Sequence, residues 1–255
     1  PKGVMLVLTA DHAIGPARAF AKAMRAAVEV ASSGDCLVTF GIPPRRAETG
    51  YGYAEAADAP AAAVGGLPVR EVAGFHEKPS AATAEAFAAS GRHYWNSGMF
   101  AWRVDYLWEQ FRRHLPQTAA AFEKAGDLDP AAPSFKTKLK RIYASIPDIS
   151  IDYGILEKAE RIRMVVPDFS WDDIGAWSAL DRLHAADAHG NRAVGEAVLL
   201  ESEGVTAFSD DGLVATFGVK DLLVVRHGGV TMVVHKAQAP RLKELVKQVG
   251  SVKKY

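Results

Sequence analysis

Continuous apolar runs alternate with amphipathic segments along the first part of the chain. Residues 4–8 are apolar without interruption, as expected for a strand covered on both faces, and Asp11 follows that strand. Residues 16–31 are rich in alanine and repeat apolar side chains at helical spacing, which predicts a helix. Residues 37–41 predict a second buried strand. This order predicts that the two strands pair in parallel through a right-handed crossover.

Two later predicted strands carry polar groups where they end or break. Residues 69–75 predict a strand that leads into Glu77 and Lys78. Residues 94–102 predict an aromatic strand that is interrupted at Asn96. A carboxylate, an amide and an ammonium suit a polyhydroxylated ligand that also carries a phosphate. These stretches therefore predict a sugar-phosphate site.

Further carboxylates lie near predicted helix starts. Residues 150–158 predict a helix with Ser150 as its N-cap, and Asp152 lies in the first turn, where the helix dipole favours a carboxylate. That structural role alone explains Asp152. Asp172 and Asp173 lie at a strand-to-helix turn, where capping explains one carboxylate but not both. Such a pair suits a metal or a metal-bound phosphate.

The pattern changes near residue 190. Short apolar stretches then recur between turn residues, without intervening helices. An amphipathic helix follows, with a predicted inner face formed by Leu242, Leu245, Val246 and Val249. We therefore predict an α/β domain over residues 1–190, with a mixed and mainly parallel sheet, and a short-strand β module over residues 191–255. The β module with its closing helix is a candidate homodimer surface.

Composition narrows the class of protein. The chain has 30 basic and 30 acidic residues, and this balance argues against a partner such as nucleic acid or a membrane surface. The single Cys36 cannot form an internal disulfide, so a cytoplasmic location is expected. The chain begins at Pro1 rather than at a methionine, which we interpret as processing or truncation.

Two carboxylates from distant segments can hold one Mg²⁺, which binds through a few carboxylates and substrate phosphates. Asp11 and the pair Asp172 and Asp173 are the candidates. Capping of a turn is an equally good explanation of Asp11 by itself. The eight histidines show no HExxH spacing, and no nucleophile elbow is present, so zinc catalysis and acyl transfer are not expected.

Six motifs occur in the order seen in mannose-1-phosphate guanylyltransferases, a branch of the sugar-phosphate nucleotidyltransferases, and the chain resembles that family over almost its whole length. The motifs are Thr9-Ala10-Asp11-His12, the stretch from Pro44 through Tyr53, Phe75-His76-Glu77-Lys78-Pro79, Trp95-Asn96-Ser97-Gly98-Met99-Phe100, the stretch from Ser150 through Lys158, and Trp171-Asp172-Asp173-Ile174-Gly175. The resemblance implies a Rossmann-like nucleotidyltransferase domain followed by a small β-helix-like module. It also implies the reaction of GTP with mannose 1-phosphate to GDP-mannose and pyrophosphate, with Mg²⁺.

The resemblance also assigns roles to individual residues. Asp11 and Asp173 match the metal-binding aspartates; Asp173 is chosen over Asp172 because the family pattern is Trp, any residue, Asp, any residue, Gly. Glu77 matches the group that binds sugar hydroxyls, and Lys78 the catalytic group that reaches the sugar phosphate. The remaining implied substrate contacts are Gly52, Asn96, Asp152 and Lys158.

Three features depart from the family. Thr9 stands where a proline is common, and His76 stands where an apolar residue is usual. The Gly-rich loop that cradles the nucleotide triphosphate in the family does not occur before Asp11. We therefore expect the 255-residue chain alone to lack most of the guanine and triphosphate half and to be inactive.

Other interpretations stay open. Base choice rests on the missing half, so a thymidylyl- or uridylyltransferase of the same class is one alternative. A fused phosphomannose isomerase is not expected, because no such region follows Tyr255. A non-catalytic subunit that senses sugar nucleotides is another alternative, against which the presence of both Asp11 and Asp173 argues.

Overall fold

The computed structural model describes residues 3–59, 61–126 and 128–252. The chain divides into two compact units, Pro1–Trp171 and Asp172–Tyr255. The boundary near residue 190 stays a prediction. None of the helices formed by the described residues is long and apolar enough to cross a membrane.

The first unit is a layered α/β structure. Its strands are β1 Val4–Val7, β2 Ala13–Gly15, β3 Leu37–Ile42, β4 Gly52–Ala56, β5 Ala62–Val64, β6 Leu67–Glu77, β7 His93–Arg103, β8 Ile162–Val165 and β9 Ser170–Asp172, the last of which reaches the unit boundary. Its α-helices are α1 Ala17–Ser33, α2 Ala81–Ala89, α3 Val104–His114, α4 Pro116–Ala125 and α5 Phe135–Ser145, and a short π-helix spans Asp152–Leu156.

The main sheet is mixed, with the order β1-β7-β3-β8-β6-β4, and β5 pairs with β6. The mixed α/β class is confirmed, but the expectation of mainly parallel pairing is wrong. Among the described strands of this sheet, β3 and β8 alone pair in parallel. The predicted pairing of β1 with β3 is also wrong, because β7 lies between them and is antiparallel to both.

The side chains of β7 explain why it occupies a central position. Trp95, Met99, Phe100 and Trp102 are all buried, so the strand is apolar on both faces. Helix α1 covers one side with its buried alanines, and Phe100 and Trp102 pack in the cluster on the other side. A strand that can be covered on both faces gains the most apolar burial away from a sheet edge.

Strand β1 is exposed where burial was predicted. It pairs with β7 on one side, and among the described strands it has no second neighbour. Met5, Leu6 and Leu8 are each more than a third exposed. The continuous apolar pattern of residues 4–8 therefore matches a strand with two neighbours better than the edge position that it has here.

The second unit contains a β-helix-like coil, as predicted. Its elements are α6 Ala179–Leu183, β10 Arg192–Val194, β11 Ala197–Leu200, β12 Thr206–Ser209, β13 Val214–Phe217, β14 Leu222–His227, β15 Val230–His235, a 3-10 helix Lys236–Arg241 and α7 Leu242–Val252. Strands β10, β12 and β14 pair in parallel, as do β11 and β13, and β15 closes antiparallel on β14. The predicted inner face of α7 is wrong, because Leu245, Val246 and Val249 are exposed.

Candidate functional site

The end of β6 brings Glu77 against the start of β4. Gly52 lies directly opposite Glu77 in this antiparallel pair. A Cβ atom added to Gly52 would collide with Oε2 of Glu77. Glycine at this position therefore lets the carboxylate of Glu77 lie over the backbone of β4.

Lys78 begins the turn after β6 with φ at +46°, in the left-handed region that few non-glycine residues adopt. Its backbone amide donates to the carbonyl of Tyr51 at 3.2 Å, which holds this conformation. Its ammonium lies 3.0 Å from Oε1 of Glu77, and that bond raises the pKa of Lys78. A positively charged group, 62% exposed, is thus held beside a carboxylate that is only 13% exposed.

Asn96 lies on the neighbouring strand β7 and is oriented from both ends of its amide. The hydroxyl of Thr39 donates to its Oδ1 at 2.9 Å, and its Nδ2 donates to Oδ1 of Asp152 at 3.0 Å. Thr39 is fully buried and was not predicted as a site residue. The signal was present, because Thr39 is a polar residue inside an apolar buried strand, where a hydroxyl needs a partner.

Asp152 lies in the π-helix and completes this group of residues through its contact with Asn96. The helix differs from the predicted α-helix, yet the Ser150 hydroxyl still accepts from the amide of Tyr153 at 3.4 Å, as a capping residue would. Burial raises the pKa of Asp152, and the charge of Glu77 raises it further. We call Gly52, Glu77, Lys78, Asn96 and Asp152 the carboxylate–amide cluster; these residues lie together in the first unit.

Lys158 is the predicted substrate contact that the described contacts do not link to this cluster. Its side chain is exposed, and its charge is one of the causes that lower the pKa of His114, after burial and Arg113. Lys158 is only six residues after Asp152 in the sequence, but the helical turn between them can direct the two side chains to different surfaces.

Asp11 lies after β1 with a side chain that is 88% exposed. Its neighbour His12 is held by Trp171, whose indole N–H donates to Nδ1 at 3.0 Å. Because that nitrogen accepts, the proton of a neutral His12 lies on Nε2, which is 3.8 Å from Oδ1 of Asp11. His12, Tyr51 and Trp95 all pack against the Trp171 ring.

Asp172 and Asp173 have different surroundings in the second unit. Asp172 is buried, and Arg182 donates to both of its oxygens, at 2.9 Å to Oδ1 and by a shorter bond to Oδ2. Asp173 accepts from the amide of Gly175 at 3.1 Å. Asp172 therefore has a structural role, and Asp173 as the metal ligand stays a prediction.

Each of the two candidate carboxylates, taken by itself, suits a magnesium ion, since carboxylate oxygens are the ligands that Mg²⁺ prefers. Asp11 offers an exposed carboxylate. Asp173 adjoins Gly175, where an added Cβ would come too close to its carboxylate, so a side chain there would disturb its position.

In comparisons with known proteins, two family models match almost the whole chain. The family model described as Nucleotidyl transferase matches residues 1–190, and the model described as MannoseP isomerase/GMP-like beta-helix domain matches residues 195–249. Mannose-1-phosphate guanylyltransferase of Escherichia coli K12 is 37% identical over 247 residues, which are 96% of this chain and 51% of that protein. Alginate biosynthesis protein AlgA of Pseudomonas aeruginosa PAO1 is 36% identical over 261 residues, covering 97% of this chain and 51% of that protein.

A solved structure described as mannose-1-phosphate geranyltransferase from Thermus thermophilus matches with a TM-score of 0.83 and 39% identity. The match covers 96% of this chain and 69% of that one. The chain thus spans about half the length of the curated relatives that it matches.

Proposed function

The chain belongs to the nucleotidyl transferase family, and from that premise we propose that it carries the sugar-phosphate part of a mannose-1-phosphate guanylyltransferase. The complete enzyme would make GDP-mannose and pyrophosphate from GTP and mannose 1-phosphate. Three relatives that carry this name, with 36–37% identity across most of this chain, support the choice of substrates.

The carboxylate–amide cluster is the observation that carries the proposal. It combines the exposed ammonium of Lys78 with the carboxylates of Glu77 and Asp152 and the oriented amide of Asn96. A sugar 1-phosphate presents a dianionic group next to several hydroxyls. An ammonium binds the first, while carboxylate oxygens accept hydrogen bonds from the second and the remaining N–H of the amide donates to a hydroxyl oxygen.

Each residue then has a proposed role. Lys78 binds the sugar phosphate and stabilises charge during transfer, and Glu77 accepts from sugar hydroxyls. Asn96 and Asp152 orient the ring, and Gly52 offers a backbone contact. The attacking phosphate oxygen is already an anion near neutral pH, so positioning and charge neutralisation suffice without a general base.

Asp11 and Asp173 are proposed as magnesium ligands. Bound Mg²⁺ would neutralise charge on the phosphoryl oxygens. Lys158 stays a proposed substrate contact from the family pattern, without support from the contacts of its side chain.

We further propose a homodimer, supported by the exposed apolar side chains of Phe217, Val246 and Val249 in the second unit. A cytoplasmic location is supported by Cys36, a buried free thiol. Light scattering of the purified chain tests the first proposal, and a monomer at micromolar concentration would refute it.

Two measurements test the function. The first is pyrophosphate release with Mg²⁺ and mannose 1-phosphate, using GTP, dTTP or UTP, by this chain and by a version extended to the length of its relatives. We expect activity with GTP, and in the extended version alone. Turnover with dTTP or UTP instead would refute guanylyl transfer, and GDP-mannose formation by the short chain would refute the expectation that it is inactive.

The second measurement is calorimetric binding of mannose 1-phosphate to the 255-residue chain. We expect Lys78→Met to weaken binding at least tenfold, because it removes the phosphate contact. Lys140→Met, on the exposed face of α5, is the matched control. Equal affinities of both variants would contradict the proposed site, and extended protein that binds GDP-mannose without turnover would favour the sensing subunit.

A further inference from the structure

Three adjacent strands place a glutamate and two histidines on one face of the main sheet, away from the carboxylate–amide cluster. Glu55 on β4 lies directly opposite His93 on β7 and opposite Gly74 on β6. His76 is two residues beyond Gly74 and so points to the same face. Glu77, the next residue, points to the other face, and the two groups are therefore separated by the sheet.

The side chains converge there. One ligand atom from each of Glu55, His76 and His93 lies within 4.8 Å of the other two, and Nε2 of His76 is 3.5 Å from Oε2 of Glu55. Nε2 of His76 is buried and makes no hydrogen bond within the described residues. Gly74 borders the group, since an added Cβ would lie in ordinary contact, 3.4 Å from Nε2 of His76 and 3.6 Å from Oε2 of Glu55.

Hydrogen bonds to neighbouring residues leave one coordinating atom available on Glu55 and one on His93. Oε1 of Glu55 accepts from Arg92 at 2.9 Å, so Oε2 is the oxygen that faces His76. Nδ1 of His93 is 2.7 Å from the hydroxyl of Ser90, so Nε2 is the nitrogen left to coordinate. A hydrogen bond to the other ring nitrogen is the usual means by which proteins orient a metal-binding histidine.

Phe87 gives the site an apolar wall. Its ring stacks on His93 with centroids 3.9 Å apart and lies 5.0 Å from the centroid of His76. Such a wall restricts the rotation of both imidazoles and lowers the local dielectric, which strengthens binding of a cation to the carboxylate.

From these contacts we propose that Glu55, His76 and His93 form a zinc site. Two imidazole nitrogens and one carboxylate are a known ligand set for Zn²⁺, and imidazole ligands disfavour Mg²⁺ and Ca²⁺. Zinc bonds near 2.1 Å place tetrahedral ligand atoms about 3.3 Å apart. The three ligand atoms already lie within 4.8 Å of one another, so binding would require only small side-chain adjustments. The ion would connect β4, β6 and β7 on the face of the sheet opposite to that of Glu77.

The test uses untagged 255-residue chain, because a polyhistidine tag binds zinc. Metal is removed with a chelator, and ZnCl₂ is titrated in competition with a chromophoric chelator. We expect one equivalent of Zn²⁺ to bind, with affinity reduced at least tenfold in Glu55→Gln and in His93→Gln. His114→Gln is the matched control, since His114 also has a buried unpaired Nε2 but lies outside the group; it should keep wild-type affinity.

Histidine NMR of the wild-type chain keeps the proposal testable if a variant does not fold. One equivalent of Zn²⁺ should shift the ring signals of two of the eight histidines, and those signals should be assigned to His76 and His93. Absence of stoichiometric binding, shifts confined to other histidines, or equal loss of affinity in the His114 control would each overturn the zinc site.

Discussion

Asp172 and Asp173 are adjacent in the sequence, but we expect their replacement to have different consequences. Replacing Asp172 should mainly reduce stability, and replacing Asp173 should mainly reduce the magnesium-dependent rate. Asp172 is enclosed, with a side chain that is 10% exposed, and it pairs with Arg182, which is 29% exposed. Asp173 is the proposed magnesium ligand. The informative changes are therefore Asp172→Asn and Asp173→Asn, which preserve shape and remove charge.

The magnitude follows from the contacts. Asp172 accepts two bonds from Arg182 and one from the amide of Ile174 at 3.0 Å. Removing one member of a buried ion pair costs about 3–5 kcal/mol, and water that reaches Arg182 reduces this. We expect Asp172→Asn to lower the free energy of unfolding by about 2 kcal/mol, since asparagine retains one acceptor. Asp173→Asn should lower it by less than about 1 kcal/mol.

Urea unfolding followed by circular dichroism measures both changes, and a double-mutant cycle isolates the pair. If the Asp172–Arg182 contact is responsible, Asp172→Asn and Arg182→Met together should be less destabilising than the sum of the single changes by about 1–2 kcal/mol. In the extended protein, Asp173→Asn should reduce the magnesium-dependent rate at least 100-fold while its unfolding midpoint stays near that of wild type.

Two results would refute this reasoning. Additive effects of Asp172→Asn and Arg182→Met would show that the pair is not the source of the stability. A larger loss of magnesium-dependent rate in Asp172→Asn than in Asp173→Asn, at a temperature where both are folded, would reverse the assignment of the two carboxylates.

Three further predictions concern the first unit. Thr39→Val removes the hydroxyl bond to Asn96 and should lower the free energy of unfolding by about 1–2 kcal/mol and weaken mannose 1-phosphate binding several-fold, by urea titration and calorimetry; unchanged binding would exclude Asn96 as an oriented contact. Asp152 has a native pKa raised above its ordinary 3.8, so its contribution to stability is present below that pH and is lost as the pH rises through the native value. Asp152→Asn should therefore be more stable than wild type at pH 7, with a gain that disappears on acidification; a gain that grows in acid would contradict the sign. Gly98→Ala, at φ +70°, should cost about 1–2 kcal/mol, whereas Gly34→Ala, at an extended φ of −163°, should cost less; equal costs would contradict a conformational cause.

The sequence predicted local elements well where one periodicity dominated. Helix α1 and the short strands of the second unit follow from nearby residues. The partners of the strands were less predictable. The position of β7 between β1 and β3 depends on which surfaces of distant segments can be covered together, and nothing near β1 encodes it.

The apolar stripe of α7 shows the same limit. Its periodicity correctly predicted a helix, but Leu245 and Val249 are exposed. An amphipathic pattern specifies that one face avoids water in the functional state of the protein, and it does not specify which surface covers that face.

For the candidate site, the sequence by itself determined the chemical groups: Glu77 beside Lys78 before a proline, Asn96 before a glycine, and carboxylates after strands. These are local signals, because turns and strand ends have compositional requirements of their own. Tertiary structure alone decided which groups meet. Thr39 orienting Asn96, Asp172 held by Arg182, and Glu55 between His76 and His93 each join residues that are 10 to 57 positions apart. Sheet pairing and packing set such contacts, and their register depends on burial summed over the whole fold.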